Sequence, residues 1–149
     1  MPYRNSLPAV AAALFLMAPA ATVLAQGAPA ADKWHPVAKT DSQEAFVNTS
    51  SIVAVGPQLE ARVKQNFAQP QPSAKKDKSY LSSRTTYRFD CAQRRVAMKE
   101  VRAFAGADLQ GEQVQKATSS DKNLQWLDAQ ERTVFGELLD YVCKATPAR

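Results

Sequence analysis

The chain has 149 residues and a formal charge of +5 at neutral pH, and 45% of its residues are hydrophobic. This length predicts one domain with a core of modest size. The composition argues against a zinc centre, because 2 cysteines and 1 histidine are a poor donor set for that ion. The mild positive charge allows anionic partners, such as glycan sulfates, lipid headgroups or nucleic acid, but does not require them.

Residues 1–25 have the features of a secretory signal peptide. Arg4 supplies the positive n-region, residues 7–24 are almost entirely apolar, and small residues occupy the −3 and −1 positions before Gln26. A later cut after Ala30 is an alternative. A membrane anchor is the rival interpretation, but the apolar stretch is barely long enough to span a bilayer and two prolines interrupt it. We therefore predict cleavage and export.

Export leads to expectations about organisation and location. We expect residues 26–33 to be a flexible leader and residues 34–145 to be a single domain, with no transmembrane segment after cleavage. Gln26 rather than a cysteine follows the predicted cleavage site, so that position offers no acceptor for a bacterial lipid anchor. The predicted location is the periplasm, the cell surface or the medium.

Much of the segment 34–117 alternates between apolar and polar residues, which is typical of strands with one buried and one solvated face. The predicted strands are residues 34–39, 44–48, 59–69, 81–91 and 95–105, with extended residues at 52–55 and a last short strand at 112–117. Cys91 shares the inward face of its strand with Phe89. The alternation breaks between Met98 and Val101, which predicts a β-bulge there.

One segment near the C-terminus has helical periodicity, and we predict a helix within residues 128–144. Its apolar stripe consists of Val134, Phe135, Leu138, Leu139 and Val142. The start is open between Asp128, whose spacing to Glu131 fits a capping box, and Thr133, a later cap. The predicted fold class is α+β: an antiparallel sheet of about five or six strands with this helix packed on one face.

Cys91 and Cys143 are the two cysteines of the chain, and an even number in an exported protein predicts one disulfide. The bond would fasten the end of the strand 81–91 to the last turn of the helix. In the chain-entropy model, closing a loop of this length stabilises the fold by about 4 kcal/mol.

No catalytic set is recognisable in the sequence. The patterns of a nucleophile elbow, a phosphate-binding loop and a metalloprotease helix are all missing. His35 could bind a metal ion or haem, but a surface histidine is the commoner interpretation of a single histidine near the N-terminus. We therefore expect a non-enzymatic protein without a cofactor or metal ion.

A cluster of arginines is the best candidate for a binding site. Arg84, Arg88, Arg94 and Arg95 lie in or beside one predicted hairpin, and a rigid sheet would present their charges together. By strand parity Arg84 and Arg88 share one face, so we predict that both are exposed on the face away from the helix and bind an anionic partner. The lysine-rich run 75–78 is more typical of a solvated loop.

Several short motifs combine along nearly the whole predicted domain. The most specific are the aromatic-x-aromatic-Asp-Cys segment at 87–91 and the terminal helix that ends in Cys143. Further motif positions are Trp34, Val37, Phe46-Val47-Asn48, Ser51-Ile52, Tyr80-Leu81-Ser82-Ser83, Trp126, Leu138 and Val142. This pattern resembles the bacterial surface-adhesin protein E family.

The resemblance implies an antiparallel sheet with a C-terminal helix, a Cys91–Cys143 bridge and a location in the bacterial envelope. The namesake of the family is a surface lipoprotein that binds host extracellular-matrix proteins and haem. We therefore expect an exported, non-enzymatic binding protein of the cell envelope. Its expected partner is a protein of the envelope or of the host matrix, with no nucleic acid. A periplasmic structural or assembly factor is the alternative.

Overall fold

The structure, a computed structural model, describes residues 32–145. The predicted signal peptide and most of the predicted leader lie outside these described residues. Between residues 32 and 145, no helix is both long enough and apolar enough to cross a membrane.

An antiparallel sheet and a C-terminal helix form the framework of the described residues. The strands are β1 (Trp34–Lys39), β2 (Gln43–Asn48), β3 (Val53–Val55), β4 (Gln58–Pro72), β5 (Ser79–Asp90), β6 (Arg95–Phe104), β7 (Gln113–Thr118) and β8 (Trp126–Asp128), and the helix is α1 (Val134–Lys144). The order across the sheet is β1-β2-β4-β5-β6-β7, with β3 paired to β4 and β8 paired to β6. Most neighbours in the sheet are consecutive in the chain, because short turns join them as hairpins.

The sheet has eight strands, and the predicted number of five or six is wrong. The difference comes from β3, where the sequence predicted extended residues at 52–55 but no separate strand, and from β8, which is too short for an alternating pattern to be recognised. β3 folds back on β4 through a turn at Gly56, whose φ of +59° is readily adopted by glycine. β8 contains Asp128, one of the two predicted starts of the helix.

The helix begins at the later of its two predicted starts. Thr133 is the N-cap, and its Oγ1 accepts a hydrogen bond from the backbone N–H of Gly136 at 3.1 Å. A side chain at position 136 would collide with the preceding turn, since a Cβ there would lie 2.1 Å from the backbone oxygen of Gln130. Glycine therefore permits the close approach between this turn and the start of α1.

The predicted β-bulge is confirmed in β6. Thr86 pairs with Glu100, but the next residue, Tyr87, pairs with Met98, so that Lys99 is an extra residue on the bulged strand. The extra residue shifts the alternation of β6. It therefore decides which side chains of β6 share a face with those of β5.

The helix covers one face of the sheet, called here the helix face, where the rings of Tyr87 and Phe135 meet edge to face at 5.6 Å. The buried apolar core consists of Ala38, Ala45, Val47, Ile52, Ala61, Val63, Tyr87, Phe89, Val96, Ala129, Leu138, Leu139 and Val142. The opposite side is called the open face. It carries the intervening residues of the same strands, with Lys64, Arg84 and Arg102 near its middle.

The predicted disulfide between Cys91 and Cys143 is confirmed. The two Cα atoms are 5.9 Å apart, and the bond joins the residue after β5 to the last turn of α1 across 52 positions of sequence. The covalent link and the apolar core therefore hold together the same two layers, the sheet and the helix.

Candidate functional site

Two of the predicted site residues lie on the open face of β5. Arg84 pairs with Lys64 and Arg88 pairs with Glu60 of β4. Both arginines occupy even positions of β5, whereas Phe89, which is part of the core, occupies an odd position and therefore points to the other face. The prediction that they share the face away from the helix is therefore confirmed. Their exposure to solvent nevertheless differs.

Arg88 is buried, so the prediction that it is exposed is wrong. Only 6% of its surface is accessible, and its Nη2 donates to Glu60 Oε2 and to Asp121 Oδ1, each at 3.0 Å. The second carboxylate belongs to a 3-10 turn, Asp121–Asn123, that lies over the strand. Strand parity carries no information about such a cover. The two carboxylates offset the cost of burying the guanidinium charge.

Arg94 and Arg95 each form an ion pair within the molecule. Arg94 has a φ of +48° in the turn after β5, and its Nη1 donates to Asp140 of α1 at 2.8 Å, which lowers the pKa of Asp140. Arg95 pairs with Asp90 at 3.0 Å, and its guanidinium lies 4.5 Å from the ring centre of Trp126. The four arginines therefore do not form one patch, and their role in anion binding stays a prediction.

A different set of basic residues lies in register across the open face. Lys64 of β4 is directly opposite Arg84 of β5. Arg84 is in turn opposite Arg102 of β6, which is opposite Lys116 of β7. Paired residues of an antiparallel sheet share a face, so these four side chains, called here the basic row, project from the same side. Phe46 of β2 continues the same register line beyond Lys64.

One end of the basic row is enclosed. The Nζ of Lys64 donates to Asp108 Oδ1 at 2.8 Å, and it lies 4.4 Å from the ring centre of Phe46 and 5.7 Å from that of Trp34. Only 12% of the Lys64 side chain is accessible. This lysine therefore anchors the end of the row against the neighbouring strands and is largely withdrawn from solvent.

The other three cations of the basic row are less completely paired with carboxylates. Arg102 forms an ion pair with Glu100 of its own strand. Arg84 is half-buried and Lys116 is exposed, and neither forms an ion pair with any residue between 32 and 145. The carboxylates near the row consequently leave part of its positive charge unpaired.

Acidic residues from two connections border the basic row. In the connection 105–112 between β6 and β7, Asp108 accepts a hydrogen bond from Lys64, and this bond is the main reason that the pKa of Asp108 is lowered. Asp121 pairs with Lys99, which lowers the pKa of Asp121 in the same way. The row lies between these two carboxylates on the open face.

His35 has a structural role in the described part of the chain. It is exposed on β1, and its ring stacks on that of Tyr141 in α1 with centroids 4.9 Å apart. Across residues 32–145, no three potential ligands among His, Cys, Asp and Glu are grouped as a metal ion would require. The geometry therefore assigns His35 to the contact between β1 and the helix.

Sequence reasoning missed three members of the basic row, namely Lys64, Arg102 and Lys116. Each is a polar position in an alternating strand, which is a signal that the sequence does carry. Their assembly into one row depends on the register between four strands. Arg102 also depends on the bulge in β6, because without the extra residue it would project from the helix face.

The chain has the same fold as solved structures of protein E from Haemophilus influenzae. A structure of Haemophilus influenzae protein E has a TM-score of 0.53 and 12% identity, covering 74% of this chain and 83% of that chain. A second crystal form of that protein has a TM-score of 0.54 and 12% identity, with 74% and 86% covered. Protein E from non-typeable Haemophilus influenzae has a TM-score of 0.50 and 12% identity, with 77% and 79% covered. At identities this low, the structural likeness shows a common fold and nothing further.

The comparison with protein families is more specific than the structural one. No curated protein matches the chain. The family model for surface-adhesin protein E, however, matches residues 34–144, which include all eight strands and the helix. The resemblance seen in the sequence motifs is thereby confirmed, and the chain belongs to the surface-adhesin protein E family.

Proposed function

We propose that this protein is an exported, non-enzymatic binding protein of the bacterial cell envelope. The family match over residues 34–144 carries the proposal, because it spans the entire sheet and the helix rather than a single motif. The two faces of the sheet support it. One face closes the core against the helix, and the other presents charged and polar side chains to a partner.

The proposed partner is a protein of the envelope or of the host extracellular matrix, in keeping with the family description as surface adhesins. Residues 1–25 supply the proposed export signal. A periplasmic structural or assembly factor is the second candidate function. It is favoured by Gln26, which stands where a lipidated protein would have a cysteine.

Fractionation of bacteria that produce the tagged protein tests its location. We expect the processed protein in the envelope or the medium, where protease added to intact cells cleaves it. A variant without residues 1–25 is the matched control and should stay in the cytoplasm. A cytoplasmic full-length chain would contradict export. Protection from protease inside the periplasm would favour the assembly factor over the adhesin.

Binding is tested separately with purified protein on immobilised matrix proteins. We expect saturable binding by the folded, oxidised protein and its loss after reduction and heating. Equal binding before and after unfolding would mean that the folded surface is not responsible, and it would contradict a specific binding function.

A further inference from the structure

The basic row is unfavourable for folding when it is considered alone. Like charges directly opposite each other on neighbouring strands destabilise a sheet. Here four cations follow one another across β4, β5, β6 and β7. Within the described residues, Asp108 and Glu100 pair with two of the four, whereas Arg84 and Lys116 have no ion pair. An external anion would supply the negative charge that the sheet does not.

We propose that the basic row binds a linear acidic polysaccharide that lies across the strands. This inference rests on the proposed function, since it assigns a ligand class to the same binding protein. Neighbouring strands are about 4.8 Å apart, so the four cations extend over roughly 14 Å. A polymer with repeated sulfate or carboxylate groups contacts several of these cations at once, whereas a single small anion reaches only one or two.

The side chains of the basic row match the chemistry of sulfate and carboxylate groups. Arg84 and Arg102 form its centre, and the planar fork of a guanidinium binds such oxyanions through two parallel hydrogen bonds. Lys116 adds an exposed point charge at one end. Lys64, held by Asp108, limits the row at the other end. The most accessible contacts are therefore the two arginines and Lys116.

The surroundings of the row favour a carbohydrate over other anionic partners. The neighbouring register line carries Arg62, Thr86, Glu100 and Thr118. The two threonine hydroxyls can bond to sugar hydroxyls, and Glu100 is paired with Arg102. Single-stranded nucleic acid is bound by aromatic rings interspersed among cations, but Phe46 and Trp34 lie together at one end beside Lys64. A membrane surface is bound by apolar side chains that enter it, whereas this row consists of cations beside polar side chains.

Binding of purified protein to heparin, with uncharged dextran as the blank, tests the proposal. The variant Arg84→Gln/Arg102→Gln should bind heparin at least about tenfold more weakly, a change of about 1.4 kcal/mol in binding free energy, because it removes the two guanidinium groups that make charge-assisted hydrogen bonds. Arg132→Gln/Lys144→Gln removes the same charge from exposed positions at the two ends of α1, on the other side of the sheet, and is the matched control. The control should stay within about twofold of the unmodified protein, since surface charges distant from the ligand act weakly through screened solvent.

Two outcomes would overturn the proposal. Equal losses of heparin binding in both double variants would mean that the affinity depends only on the net charge of the protein. Binding of single-stranded DNA, polyglutamate or anionic vesicles that is as tight as heparin binding and equally sensitive to Arg84 and Arg102 would mean that the row does not select a polysaccharide. Cooperative thermal unfolding of both variants, without a large loss of stability, separates lost binding from lost folding.

The heparin assay and the cell fractionation test different proposals, and either proposal can be rejected without the other. Heparin binding uses purified protein and does not depend on where the chain is located in the cell. Absence of heparin binding in a protein that is exported and binds a matrix protein would reject the basic row as a polysaccharide site and leave the proposed function intact. A cytoplasmic location would instead reject the proposed function.

Discussion

The two faces of the sheet differ in what holds them. The helix face is closed by apolar side chains from both layers and by the bond between Cys91 and Cys143. The open face is held by ion pairs, of which the one between Arg88 and Glu60 is the most buried. Apolar burial depends little on salt, whereas exposed charges depend on pairing and screening. The same strands therefore provide a stable scaffold on one side and a charged surface on the other.

Two arginines on one strand show how the open face is divided. Arg84 and Arg88 are four residues apart on β5 and point the same way. Arg88 is enclosed by Glu60 and Asp121, whereas Arg84 lies in the basic row without an ion pair among residues 32–145. Identical side chains on one face thus differ in burial and ion pairing according to what the neighbouring connections place above them.

Removal of the disulfide should give the largest effect and tests how far the helix face depends on it. Cys91→Ala/Cys143→Ala should lower the free energy of unfolding by about 4 kcal/mol, because the unfolded chain regains the entropy of a long loop. Urea unfolding measures the change, and the unmodified protein under a reducing agent is the control. A loss below about 1 kcal/mol would mean that apolar burial alone holds the helix against the sheet.

The contrast between the two arginines should give the next largest effect. Arg88→Met should lower the free energy of unfolding by about 3 kcal/mol, because it leaves Glu60 partly buried without its partner. Arg84→Met, the matched control on the same face, should not lower it by more than about 0.5 kcal/mol. Equal effects at the two positions in urea unfolding would contradict the division of the open face described above.

Alkaline pH should weaken the helix face through Tyr87. Burial raises the pKa of this hydroxyl from 10.0 to about 12, so the unfolded state loses its proton first as the pH increases. The resulting stability is fully present below pH 10 and is lost as the pH rises to 12. Between pH 9 and pH 12 the unmodified protein should lose about 2 kcal/mol more than Tyr87→Phe, as measured by urea unfolding at each pH.

Equal pH dependence in the two proteins would contradict a buried, neutral Tyr87. Absorbance titration of the folded protein offers a second measurement. The unmodified protein should show a late ionisation step of Tyr87 near pH 12, and Tyr87→Phe should remove that step.

Removal of one charge from the basic row should give the smallest change in the free energy of unfolding. The change should be a gain in stability, whereas removal of an ion-paired residue such as Arg88 should give a loss. Arg84→Gln should raise the free energy of unfolding by about 0.2–1 kcal/mol at low salt, because it removes repulsion from Lys64 and Arg102. The gain should disappear near 1 M salt, where the screening length is about 3 Å. A loss of stability at low salt would mean that Arg84 has a stabilising partner and is not held there against repulsion.

Part of this architecture is readable from local patterns. The alternation in the longer strands identified their buried faces, and the break between Met98 and Val101 located the bulge. Thr133 was one of two caps that the helical pattern allowed, and only the close approach of Gly136 to Gln130 places the helix start there. Of the two strands with three residues, β3 was expected only as extended chain at 52–55, and β8 was missed because so few positions cannot display a period.

The sequence by itself determined the strand parity and the apolar stripe of α1, whose causes are local. It also determined the pairing of Cys91 with Cys143, because the chain has two cysteines. Tertiary structure alone decided which charged side chains are exposed and which lie next to each other. The burial of Arg88 depends on Asp121, which is distant in sequence, and the basic row depends on the register of four strands. Register and loop placement arise from contacts between remote segments, and a local pattern does not contain them.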